Sequence, residues 1–90
     1  MGDSRSETPA NRLKRLRLRS WQRGIREMDL ILGRFADAGL AEMQPALLDA
    51  FDFLLSENDH DLYRWIAGSE RVPTRYTEIV IRIRAHHGMV

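Results

Sequence analysis

Ile79-Val80-Ile81-Arg82-Ile83 decides the fold of this chain. Taken alone it could pass for a strand, because four of its five residues are β-branched. No second stretch offers a strand to pair with it. At about 100° per residue, Tyr76, Ile79, Val80, Ile83 and His87 fall on one face, so the segment reads as a helix. Thr74 is predicted to cap that helix after an extended Val72-Pro73.

Working back toward the N-terminus, Leu62, Trp65 and Ile66 repeat at helical spacing and are assigned to the core of a short fourth helix. Asp59 is its expected N-cap and Gly68 its stop. The third helix begins near Pro45. Met43, Leu47, Leu48, Phe51, Leu54 and Leu55 form its core stripe, with Asp49, Asp52 and Glu57 expected to face water. Met43 and Leu48 are placed to form a hydrophobic staple. The second helix runs from Ile25 to Gly39, its expected C′ residue, with Ile25, Met28, Ile31, Leu32, Phe35 and Ala36 inward. The first runs from about Pro9 to Gln22 behind a Thr8 cap, with Leu13, Leu16 and Trp21 in one arc and Leu18 outside it. The fold class is all-α: a single-domain bundle of five helices over residues 8–88, with residues 1–7 as a disordered N-terminal tail.

Ninety residues, 43% of them hydrophobic and 30% charged, allow one modest core. The length excludes a two-domain enzyme with an interdomain cleft. With no cysteine there is no disulfide framework, thiol nucleophile or cysteine-ligated zinc. No apolar run reaches the ~18 residues of a membrane span, and no signal peptide opens the chain, so the expected setting is cytoplasmic. His86 and His87 are adjacent, which points them apart on a helix, and His60 lies elsewhere; no metal site is expected. No GxSxG, HExxH or phosphate-binding glycine loop is present, and the chain reads as non-enzymatic.

The net charge of +1 hides three blocks: residues 1–26 carry +6, residues 27–61 carry −8 and residues 62–90 carry +3. All but one of the fourteen bases are arginine, whose fork suits defined pairs with carboxylate or phosphate. The basic first helix is compatible with nucleic acid, with an acidic protein partner, or with the chain's own acidic middle. No reading helix or set of stacking aromatics accompanies it, which disfavours nucleic acid. At the next corner, Gly24 supplies a positive-φ joint between two helices. Arg23 and Glu27 project off the apolar stripe on either side of it, with no internal partner evident in the sequence.

Arg23-Gly24-Ile25-Arg26-Glu27, preceded by Ser20 and followed by Met28-Asp29, combines with Phe51-Asp52-Phe53-Leu54-Leu55 and Asp59-His60-Asp61-Leu62-Tyr63-Arg64-Trp65-Ile66. From about Arg15 to Ile83 this pattern resembles the bacterial SdhE family, whose mitochondrial counterpart is succinate dehydrogenase assembly factor 2. His60 departs from the proline that the family often carries there. The resemblance implies an assembly factor that binds the flavoprotein subunit of succinate dehydrogenase, and in some bacteria fumarate reductase, and promotes covalent attachment of FAD to a client histidine. It implies partner contacts through Arg23, Gly24 and Glu27, with Ser20, Trp21 and Arg19 beside them. It further implies no catalytic residue, no tightly bound cofactor (FAD goes to the partner), no nucleic acid, no membrane insertion and a monomer when free. A basic helical nucleic-acid-binding module and a generic interaction bundle are the alternatives.

Overall fold

A computed structural model describes residues 7–89; of the tail expected over residues 1–7, residues 1–6 lie outside the described residues, while Glu7 is placed with its carboxylate held by Arg15. Five helices follow one another: α1 (Pro9–Ser20), α2 (Arg26–Gly39), α3 (Pro45–Leu54), α4 (Asp59–Ala67) and α5 (Thr77–His86). No strand occurs among the described residues. The stretch that decided the fold is helical. Ile79, Val80 and Ile83 are fully buried while Ile81 is 58% exposed, a pattern of period near four that a strand would not give. α5 packs on α2, α3 and α4 and so occupies the middle of the bundle.

The helix starts follow local chemistry, with three corrections. Thr8 caps α1, its hydroxyl accepting from the Asn11 N–H at 3.1 Å, and Pro9 takes the first helical position. α4 is capped by Asn58 and not by Asp59: the Asn58 side chain accepts from the Asp61 N–H at 2.9 Å, leaving the Asp59 carboxylate free for other work. Thr74 does not cap α5. It opens a single 3-10 turn, Thr74–Tyr76, which buries the Tyr76 ring against Trp65 before α5 begins. Gly39 does close α2, but as its last helical residue, with φ −144°, and not as a C′ residue beyond the cap; the chain runs on through a 3-10 turn, Leu40–Glu42, that buries Leu40. Gly68 does end α4 in the left-handed conformation.

The core joins all five helices, from Leu16 on α1 through Met28 and Leu32, Phe51 and Leu54, and Leu62 and Ile66, to Ile79 and Ile83. Met43 and Leu48, the expected staple pair, are half-buried beside it. α1 carries three stripes at helical spacing. Leu13, Leu16 and Ser20 face the core; Arg12, Arg15 and Arg19 face α3; Lys14, Arg17, Leu18 and Trp21 face outward.

Candidate docking site

The arginine stripe of α1 meets the acidic face of α3. Arg12 donates to Asp49 at 2.7 Å and to Asp52 at 3.3 Å. Arg15 forks onto Glu7 at 2.7 and 3.1 Å and onto Asp52 at 3.0 and 3.2 Å. Arg19 donates to the Leu55 carbonyl at 3.1 Å. Burial pushes the Asp52 carboxyl up, but the Arg15 and Arg12 forks outweigh it and hold its pKa below the ordinary value. Asp52 therefore does not face water as the sequence suggested. Nor does Glu57, which accepts from the Tyr76 hydroxyl at 2.6 Å and from Arg75 at 3.0 Å. Much of the basic front of the chain thus complements its acidic middle.

Arg23 extends this pattern past the end of α1 and corrects the sequence reading most sharply. Its side chain is only 10% exposed and turns inward. Nε donates to Asp59 at 2.8 Å, Nη2 donates to the Glu57 carbonyl at 2.7 Å, and Nη1 donates to the Leu55 carbonyl. Leu55 is the C-terminal cap residue of α3, where carbonyls lack intrahelical donors and attract a cation. The Arg23 N–H is itself held by Asp29 at 2.6 Å. One guanidinium therefore clamps the α1–α2 corner onto the α3–α4 corner. The available sequence signal was the spacing, since Arg23 continues the three- and four-residue steps of Arg12, Arg15 and Arg19.

Above that clamp the backbone is bare. Gly24 is exposed with φ +106°, and a β-carbon built there would meet only Asp59 Oδ2, at 3.9 Å. The expected positive-φ joint is present, and the space over it is open. Arg26 and Glu27 are exposed, and no hydrogen bond joins Glu27 to Arg23. Glu27 instead borders a shallow depression of about 340 Å³ with Ile25, His60, Tyr63 and Arg64. Tyr63, which the sequence did not single out, is 49% exposed on that rim.

The remaining candidates separate. Ser20 is fully buried, its hydroxyl donating to the Leu16 carbonyl at 2.7 Å. Trp21 lies across α2 and donates from Nε1 to Asp37 at 3.1 Å. Its indole rests on Gly33, where a β-carbon would overlap Cδ2 and Cε2. Sequence reading missed Gly33, because nothing in a helical pattern tells a glycine that admits a ring from one that merely weakens the helix. His87 meets the Ile31 carbonyl at 2.8 Å, and His86 stands edge-on to Phe35. Among the described residues no group of three or more His, Asp or Glu side chains converges as a metal site would require, and no helix is long and apolar enough to cross a membrane.

Residues 14–87 match the family model described as flavinator of succinate dehydrogenase. A protein of Legionella pneumophila named FAD assembly factor SdhE is 39% identical over 74 residues, covering 82% of this chain and 94% of that protein. Succinate dehydrogenase assembly factor 2, mitochondrial, of Dictyostelium discoideum is 32% identical over 74 residues, 82% of this chain. Its counterpart in Kluyveromyces lactis is 52% identical over 54 residues, 58% of this chain. The chain spans 52% of the length of the first of these mitochondrial relatives and 33% of the second. These relatives are named as assembly factors and not as catalysts.

Proposed function

This chain belongs to the family of succinate dehydrogenase flavinators, and from that premise we propose that it docks the flavoprotein subunit of succinate dehydrogenase and promotes covalent FAD attachment there. The observation that carries the reading is the bare Gly24 backbone beside an exposed, unbonded Glu27, held rigid from beneath by Arg23. A client segment can approach Gly24 closely, and Glu27 can accept from a donor on that segment. Arg23 then acts as a positioning residue. It fixes the corner but leaves the client contact to its neighbours.

Such a surface does its work by differential binding. Each tenfold shift of the client toward the conformation that aligns its histidine with the flavin requires about 1.4 kcal/mol of preference for that conformation. The chain adds no nucleophile and holds no FAD tightly; the flavin stays with the client, in the bacterial cytoplasm, and this factor acts as a monomer. Fumarate reductase flavoprotein is a second client on the same reading. A nucleic-acid module is disfavoured because Arg12, Arg15, Arg19 and Arg23 are all engaged inside the fold.

Co-expression with the flavoprotein subunit, read by in-gel flavin fluorescence, tests the proposal. Covalent flavin that rises with the wild-type chain and not with Gly24→Arg is the expected result. Equal fluorescence with and without the chain would sink it.

A further inference from the structure

α1 displays two sets of cations that differ only in which way they point. The inner set shows what this helix recognises, because Arg15 forks onto Asp52 and Arg12 bridges Asp49 and Asp52 of α3 through Nη2. The outer set is Lys14 and Arg17, in one stripe with Leu18 and Trp21 at i, i+3, i+4 and i+7. Among the described residues neither cation has an ion pair. Leu18 is 57% exposed and Trp21 is 37% exposed. On α2, Gly33 lets the indole lie flat, and Arg34, exposed and without an ion pair, stands next to it in sequence. The nearby carboxylate, Asp37, accepts from the indole and keeps its charge, so Lys14, Arg17 and Arg34 leave the face at a net +2. The result is an aromatic plate fixed on both its edge and its underside, sharing its helix stripe with an exposed leucine, the exposed Lys14 and the half-buried Arg17, while the exposed Arg34 follows Gly33 on α2.

We infer that this outer α1–α2 face is a second docking surface, which takes an acidic segment of the flavoprotein client. The inference rests on the client reading above. An acidic polypeptide suits this face better than the other anionic surfaces. Leu18 sits inside the stripe, where a phosphate backbone would have to bury its charge against an isobutyl group. The apolar area, one leucine and part of one indole, is too small to anchor the protein in lipid. A peptide can set carboxylates on Lys14, Arg17 and Arg34 and lay an apolar side chain across Leu18 and Trp21. This face is built by α1 and the middle of α2, whereas the Gly24 corner presents the N-terminal turn of α2, so contacts at both places would fix the client's orientation.

The experiment titrates the full chain with the purified flavoprotein subunit at low and high salt, following tryptophan emission, for wild type, Gly24→Arg and the triple variant Lys14→Glu/Arg17→Glu/Arg34→Glu. The triple variant is expected to melt like wild type, since none of its side chains has an internal ion-pair partner. Its affinity is expected to fall roughly 30-fold at ~50 mM salt and only a few-fold at ~500 mM, as screened charge pairs require. Wild-type affinity with the triple variant at low salt overturns the second face while leaving the client reading intact. Failure of the wild-type chain to bind the subunit at all overturns both. Tighter binding to a single-stranded oligonucleotide or to phosphatidylglycerol vesicles than to the subunit, abolished by the triple variant, assigns the face to that ligand and overturns the inference.

Discussion

Arg23 and Glu27 of the corner motif lie four positions apart and live in opposite environments. Arg23 is almost enclosed and makes three side-chain bonds to the α3–α4 corner, whereas Glu27 is exposed and makes none within the described residues. The lower half of the corner holds the bundle together, and the upper half is left for a partner. Outwardness on a helical wheel therefore does not mean outwardness in the protein. Arg23 points away from the apolar stripe of α2, yet another helix corner waits there with carbonyls and a carboxylate. A polar side chain turned off one element's core face can still be interior to the bundle.

Arg23→Ala carries the largest expected effect. Removing one partner of an enclosed pair strands Asp59 and two carbonyls, and the expected loss is ~3–5 kcal/mol in denaturant unfolding. Flavinylation should fall with folding. A variant that melts like wild type would show that the clamp is not structural. Arg23→Lys retains the charge but not the fork, and is expected to recover less than half of that loss.

Gly24 sharpens the same contrast at a smaller magnitude. A positive-φ residue strains any side chain, so Gly24→Ala is expected to lose ~1–2 kcal/mol and Gly24→Asn less. There is room for a β-carbon, so packing adds nothing to that strain. If the client rests on the bare Cα, all three of Gly24→Ala, Gly24→Asn and Gly24→Arg lose flavinylation beyond what melting temperature explains, Arg most. An active Gly24→Asn would assign the glycine to backbone geometry alone.

Asp52→Asn probes the partly exposed charges between α1 and α3 and carries a pH signature. Its carboxyl has a lowered pKa in the folded state, so its contribution is complete above the ordinary carboxylate pKa of ~4 and disappears as pH falls through the lowered value. Because all its partners are partly exposed, about 1 kcal/mol is expected at pH 7. The wild-type and variant stabilities should converge in acid. A difference that stays constant down to low pH would trace the loss to packing.

Glu27→Ala has the smallest expected effect on stability, within ~0.5 kcal/mol, because nothing in the described fold leans on its carboxylate. Its expected effect on covalent flavin is a clear loss. Stability and flavinylation moving together in Glu27→Ala, as they do in Arg23→Ala, would erase the distinction between the two halves of the corner.

The helices were legible because they are written in local terms. Apolar spacing on α2, α3 and α4, the Thr8-Pro9 start, the Gly24 joint and the Gly68 stop all act within a few residues, and each stands where the pattern put it. Errors gathered where two nearby residues compete for one role. Asn58 displaced Asp59 as cap because Asp59 has a distant partner in Arg23. Thr74 yielded because tucking Tyr76 beside Trp65 delays α5 by a turn. Asp52 and Glu57 looked solvated because their partners lie on α1 and on the turn before α5, far away in sequence.

From the amino-acid order alone come the all-α class, the five helices, the buried apolar stripes and the family resemblance, since backbone propensity and hydrophobic period are properties of neighbouring residues. Tertiary structure alone decided which arginines are bound and which are free. That choice depends on which helix face meets which, and hence on pairs such as Arg15 with Asp52 and Arg23 with Asp59, 37 and 36 residues apart. It also gave Gly33 its purpose. A missing β-carbon becomes meaningful only once another helix lays an indole across it.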